Sequence, residues 1–204
     1  MSNISIIGAG GHSRSSIPLL RNHFPDAKYE IFDNSFVKNA DEFIAGIRVT
    51  GNIKELNRDS LIFLSIGDNE LRRKYFKQYK KNIIKKNIFH QSSIREAGVK
   101  FGEANQIFAN CYINSFARIG NNNILNTASI IEHEAIIGNH NHISVGARLC
   151  GRVKVGDNCM VGAGVIIIDR ISICDDVVIG AGSVVIRNIS EGGTYVGSPA
   201  RRIR

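Results

Sequence analysis

The 204 residues contain no apolar run approaching the ~20 that a helix needs to cross a bilayer, which argues against membrane insertion. The chain also starts without the basic-then-apolar layout of a secretory leader, since MSNISIIGAGGHS runs straight into a strand-and-glycine pattern. A cytoplasmic location is the expectation. Cysteine is sparse, and Cys111, Cys150, Cys159 and Cys174 include no close pair of the zinc-site kind. Unpaired thiols, a reducing compartment and no metal follow from that spacing. Hydrophobic residues are not scarce. At 43% against 22% charged they exclude disorder, and the length allows one large domain or two small ones.

Acidic residues are outnumbered, leaving a net charge of +8. Much of the excess lies in Arg72-Arg73-Lys74-Tyr75-Phe76-Lys77-Gln78-Tyr79-Lys80-Lys81, continuing to Lys85 and Lys86. Leu71, Tyr75, Phe76 and Tyr79 recur there at helical spacing, so the stretch reads as an amphipathic surface helix. Its charge suits polyanionic small molecules and does not require a nucleic acid partner.

The C-terminal half repeats every six residues. From Ile107 the series runs Ile113, Ile119, Leu125, Ile131, Ile137, Ile143 and Leu149. It goes on through Val155, Val161, Ile167, Ile173, Ile179 and Val185 without a break. Neither a helix nor a strand has this period. A three-sided parallel solenoid does, one aliphatic side chain per side pointing to the axis, and residues 95–187 leave room for roughly five coils. The position two residues earlier faces inward near a corner and is small at Cys111, Ala117, Ser129, Ala135, Ala147, Cys159 and Ser183. Gly120, Gly138, Gly156, Gly162 and Gly180 follow aliphatic positions and are expected in tight turns with positive φ.

At the N-terminus, Ile4–Ile7 reads as a buried parallel strand, Gly8-Ala9-Gly10-Gly11-His12-Ser13 as a turn, and the stretch through Leu20 as a helix. Such a turn presents backbone N–H groups to phosphate. A second strand, Tyr29–Phe32, ends at Asp33-Asn34, and Leu61–Ile66 makes a third. The dinucleotide fingerprint is incomplete, with Ser13 at its third glycine, and no nicotinamide chemistry is implied. The expected division is a Rossmann-like domain over 1–90 and a parallel β-helix over 91–204.

Of the six histidines, His23 and His90 fall in helix or linker segments and His140 reads as a surface residue. His133 stands between Glu132 and Glu134. An imidazole is suited to remove a proton near neutral pH, and a carboxylate beside it orients and strengthens it. A surface histidine with incidental acidic neighbours fits the same pattern.

The hexapeptide run, with the tail Val196-Gly197-Ser198-Pro199-Ala200-Arg201, resembles the left-handed β-helix of bacterial acyltransferases. Adding Gly-Ala-Gly-Gly-His, Phe-Asp-Asn and Ser-Ile-Gly-Asp-Asn-Glu-Leu-Arg, nearly the whole chain resembles the NeuD/PglD-like sugar acyltransferases. That resemblance implies an acetyl-CoA-dependent N-acetyltransferase acting on a UDP- or dTDP-linked 4-amino-4,6-dideoxy sugar in surface glycan synthesis, working as a homotrimer. It implies His133 as general base, Glu134 as its carboxylate and Asn126 as a neighbour. Gly10, Gly11, His12, Asp33, Asn34 and Gly67 would surround the nucleotide sugar, and His142, Ala163 and Ala181 the acetyl-CoA. Ser13 and Asn34 depart from relatives, which leaves the base open among uracil, thymine and guanine. Sialic acid or sugar O-acetylation is the nearest alternative, and a nucleotide-binding structural solenoid the non-enzyme one.

Overall fold

A computed structural model describes residues 2–37, 41–57 and 59–204. The chain divides into two compact units, 1–85 and 86–204. The boundary precedes residue 90 because Ile88 and Phe89 already pair, in parallel, with Gln106 and Ile107 as a rung of the solenoid.

In the first unit, β1 (Asn3–Ile7), β2 (Lys28–Phe32), β3 (Phe43–Ile44), β4 (Ile47–Gly51) and β5 (Leu61–Leu64) form one sheet of order β3-β4-β2-β1-β5. Every pairing is parallel except that of β3 with β4. Helix α1 (Gly11–His23) follows β1, and α2 (Asn69–Gln78) follows β5. Ile4, Ile6, Ile7, Ile17, Leu20, Ile31 and Ile62 form the core, each at most 1% exposed. Gly8 lies at φ 113°, and a Cβ there would sit 2.5 Å from Ser65 O. No other residue type fits so tight a passage from strand to helix.

The second unit is a left-handed parallel β-helix. Its strands are two or three residues long and pair with partners 18 positions away, as Ile113 with Ile131 and Ile131 with Leu149. One side carries six such rungs, beginning at Ile88, Gln106, Ile124, His142, Met160 and Val177. All fourteen aliphatic positions from Ile107 to Val185 are buried, none more than 3% exposed. A closing strand, Gly193–Gly197, pairs with Val177–Ile179 and folds back antiparallel onto Ala200–Arg202.

The inward small position holds two devices. Cys111 and Cys159 are fully buried, and each thiol donates to a carbonyl, 3.1 Å to Asn126 O and to Cys174 O respectively. Burial pushes the Cys159 thiol up to about 12, so it is inert as a nucleophile. Asn105, Asn123 and Asn141 form a ladder at the same position, each amide donating to a glycine carbonyl at 2.8–2.9 Å. Each also accepts a backbone N–H from the next coil.

The glycines do different work from that expected. Gly120, Gly138, Gly156, Gly162 and Gly180 are absent from the positive-φ positions. A Cβ on Gly120 would lie 2.5 Å from Gly138 O, and one on Gly138 would lie 2.6 Å from Gly156 O. These glycines let successive coils stack closely. The left-handed conformation recurs every sixth residue instead, three places after the aliphatic position, as at Asn110, Asn122, Glu134, His140, Gly146 and Asn158. Short polar side chains tolerate this region better than other L-residues.

Candidate active site

In the first unit a cavity of about 380 Å³ is lined by Gly10, Gly11, His12, Asp33, Asn34 and Gly67, together with Asp68, Leu71 and Tyr75. All six residues expected to surround a nucleotide sugar therefore meet in one place. The N-terminus of α1 opens onto it: Gly10 is the N-cap, no side chain caps it, and the first turn has no acidic residue. The N-terminal end of a helix, with the positive end of its dipole, favours an anion. Asp33 closes the turn, accepting from Ala9 N (2.7 Å), Ser35 N (2.8 Å) and Ser35 Oγ (2.6 Å). Burial pushes its pKa up, but the Ser35 and Ala9 hydrogen bonds prevail and hold it below the usual carboxylate value.

Ser13 does not line this cavity. It is fully buried, and its hydroxyl donates to Gly8 O at 2.7 Å and Ser65 O at 3.1 Å, tying the glycine turn to the end of β5. Asn34 does line it, and donates to Tyr75 Oη at 3.0 Å. The largest surprise is Arg72. Sequence periodicity put it on a solvated helix face, yet it is fully buried. Its guanidinium donates to Ile66 O, Gly67 O and Asn69 Oδ1 at 2.8–3.2 Å, and so fixes the β5–α2 loop that forms one wall. Burial pulls its pKa down to about 9, against the pull of Asp68, which leaves it charged at neutral pH.

In the solenoid, His133 and Glu134 occupy a turn at one corner of the prism, following the strand Ile130–Ile131. His133 Nδ1 lies 3.3 Å from Glu134 Oε2, and the same oxygen takes an Arg152 Nη2 contact at 2.9 Å. Glu132 turns the other way, accepting from Asn114 Nδ2 at 2.6 Å. With Nδ1–H donated to Glu134, Nε2 is left with a free lone pair, the arrangement a general base requires. Arg152 anchors the carboxylate.

Asn126 and His142 are also brought together, Nδ2 to Nε2 at 3.2 Å. Asn126, Ala163 and Ala181 share a different corner, where Gly182 N donates to Ala163 O and Gly164 N to Val145 O. Within one chain the residues expected to bind acetyl-CoA thus stand a prism side away from His133. His140 is not a surface residue. It is 9% exposed, and its Nδ1 lies 2.8 Å from Asn122 Nδ2 in a column of stacked corner residues.

One neighbour of His133 escaped sequence reasoning. Gly151, one coil on, leaves the room in which the imidazole lies: a Cβ there would be 2.6 Å from both Cε1 and Nε2. Arg152 beside it was missed as well. Adding 18 to 133 and to 134 finds both, because the coil repeat stacks side chains in columns.

Comparison with known proteins agrees with the fold. The PglD N-terminal domain profile matches residues 3–79, and the bacterial transferase hexapeptide profile, six repeats, matches residues 152–187. Comparison with curated protein sequences finds no match. Among solved structures, PerB of Caulobacter crescentus, a perosamine N-acetyltransferase in complex with CoA and GDP-perosamine, is 29% identical at TM-score 0.86, over 99% of this chain and 97% of that one. WeeI of Acinetobacter baumannii is similar in fold at TM-score 0.89 and 22% identity, with both chains covered completely. So is the acetyltransferase domain of PglB from Neisseria gonorrhoeae, at 0.87 and 22%, again with both chains covered completely. An N-terminal PglD-type domain joined to a hexapeptide solenoid, the architecture shared with these sugar acetyltransferases, makes the chain an acyltransferase similar to the PglD-like sugar acyltransferases.

Proposed function

We propose that the chain transfers acetyl from acetyl-CoA to the amino group of a nucleotide-linked 4-amino-4,6-dideoxy sugar for surface glycan synthesis. The observation that carries the reading is the His133–Glu134 pair, with Nδ1 engaged and Nε2 open. The amine nitrogen attacks the thioester carbonyl while His133 Nε2 accepts its proton. The carbon–sulfur bond then breaks, and the proton passes from His133 to the departing thiolate. The amide and the free thiol are the products. The helix N-terminus at Gly10 supports binding of the diphosphate, and the cavity lined by Asn34 and Tyr75 supports binding of the base.

We further propose that the active unit is a homotrimer. One chain holds its base at one corner and its expected acetyl-CoA residues at another, and a neighbouring copy brings the two sets together across a cleft. The exposed apolar side chains of Ile94, Ile136 and Val178 are consistent with sheet faces that meet other copies.

Incubation with acetyl-CoA and a panel of UDP-, dTDP-, GDP- and CMP-linked sugars, read by mass spectrometry, tests the reaction. The GDP arm belongs there because PerB is in complex with GDP-perosamine. A mass gain of one acetyl on an amino sugar is expected, on the UDP- or dTDP-linked form first. Acetylation confined to hydroxyl acceptors, or to sialic acid, overturns the amine reading.

A further inference from the structure

His133, Gly151 and Asp169 stand 18 residues apart in one column of the solenoid corner, linked by Arg152 N to His133 O and Arg170 N to Gly151 O. The vacancy left by the missing side chain at Gly151 is bounded on two sides. His133 Nε2 lies 2.6 Å from the point where a Cβ would sit, and Asp169 Oδ1 lies 2.7 Å from it. Both atoms border the space above Gly151, where no side chain intervenes, so a donor entering it meets a histidine nitrogen and a carboxylate oxygen. Asp169 Oδ2 meets Arg170 Nε at 3.2 Å, while Oδ1 is the oxygen that borders the space above Gly151.

The remaining charged or titratable groups at the corner are Glu132, Glu134 with Arg152, Cys150, and Arg187 one coil further on. Burial first, then the charges of Glu132 and Asp169, push the Cys150 thiol up. The Asp169 carboxylate favours a cationic donor over a neutral one.

We propose that Asp169 receives the protonated amino group of the acceptor sugar and holds it against His133, so that the site selects amines over hydroxyls. The inference rests on the acetyltransferase reading above. The ammonium gives one proton to His133 Nε2, which releases it to solvent. The neutral amine, still donating to Asp169 Oδ1, attacks the thioester carbon. Its second proton follows through His133 to the departing thiolate. Asp169 neither gains nor loses a proton over the cycle.

The test is the pH dependence of the loss on Asp169→Asn, measured as kcat/KM on whichever amino-sugar acceptor the nucleotide-sugar panel identifies. An amine next to electron-withdrawing groups titrates near 8, as α-amino groups do. Loss of a charge-assisted hydrogen bond is expected to lower kcat/KM roughly 10- to 100-fold at pH about 6.5. The loss should shrink to within about threefold at pH about 9.5, where the free amine is already neutral. Asp169→Glu should recover part of the activity with the wild-type pH dependence. Arg170→Gln should leave that dependence intact, because an exposed ion pair of this kind contributes little to stability. A loss that is constant with pH, or no loss at all, overturns the proposal. Wild-type protein that acetylates no amine at any pH overturns the acetyltransferase reading instead, so the two failures are distinguishable.

Discussion

A single added methyl at position 151 is the most direct probe of how His133 is held. The Cβ of Gly151→Ala would overlap the imidazole, so the ring must swing away from Glu134. Turnover should fall roughly 10- to 100-fold, with a change in melting temperature of only a few degrees, because the corner is half-exposed. His133→Ala should lower kcat by about 100-fold or more while nucleotide-sugar affinity, measured by calorimetry, stays near wild type. Glu134→Gln should lose less, since it orients the base without taking the proton. His140→Ala is no silent control, because burial and the Asn122 contact make it a stability variant. Asp33 supplies a second residue-scale test. Its folded pKa is depressed, so its contribution to stability is present above the unfolded value near 4 and is lost as pH falls through the folded value. The gap in stability between wild type and Asp33→Asn should therefore be full at neutral pH and close in strong acid. Chemical denaturation between pH 2.5 and 7 checks it, and a gap that persists at the acid end contradicts this account.

Among the secondary-structure elements, α2 shows where periodicity misleads. The basic run has the pattern of a solvent-facing helix, and most of it behaves so. Arg72 is different because the β5–α2 loop presents two carbonyls that its Nη1 satisfies together while Nη2 donates to Asn69 Oδ1. A sequence window records hydrophobic spacing but not which carbonyls a neighbouring loop leaves unpaired. Arg72→Met should cost about 3 kcal/mol, from the stranded acceptors and the lost clamp, and should weaken nucleotide-sugar binding through the loop. Loss of stability without loss of binding would detach the clamp from the cavity. The solenoid is the opposite case. Its period was legible because every sixth side chain has one fate, burial on the axis, and no helix or strand imitates that period. The small inward positions were legible for the same reason. Left-handed corners were not, because Glu134, His140 and Asn158 carry them as readily as Gly146 does. Glycine there is one solution among several, and the glycines most visible in the sequence serve coil stacking.

For the whole molecule, the decisive question is whether one chain contains a complete site. His133 and Glu134 lie at the corner after one sheet, whereas Asn126, Ala163 and Ala181 lie at the corner after another. Light scattering should return three times the 22.4 kDa chain mass, and a monomer at working concentration would end the trimer proposal. Subunit mixing asks more, because it tests where the site lies as well as how many chains assemble. His133→Ala removes the base from one corner. Ala181→Trp fills the exposed corner where acetyl-CoA is expected. Each variant alone should be nearly inactive, the first through kcat and the second through KM for acetyl-CoA. If sites form between copies, trimers assembled from an equal mixture contain sites that draw His133 from one variant and Ala181 from the other. Random assembly makes about a quarter of the sites whole in a closed ring of heterologous contacts. Co-expression should therefore restore about that fraction of wild-type turnover. If each chain carries its own complete site, every site retains one lesion and mixing restores nothing. Activity well above the two parents thus places the chemistry in the cleft between copies, and activity equal to their mean places it within the single chain.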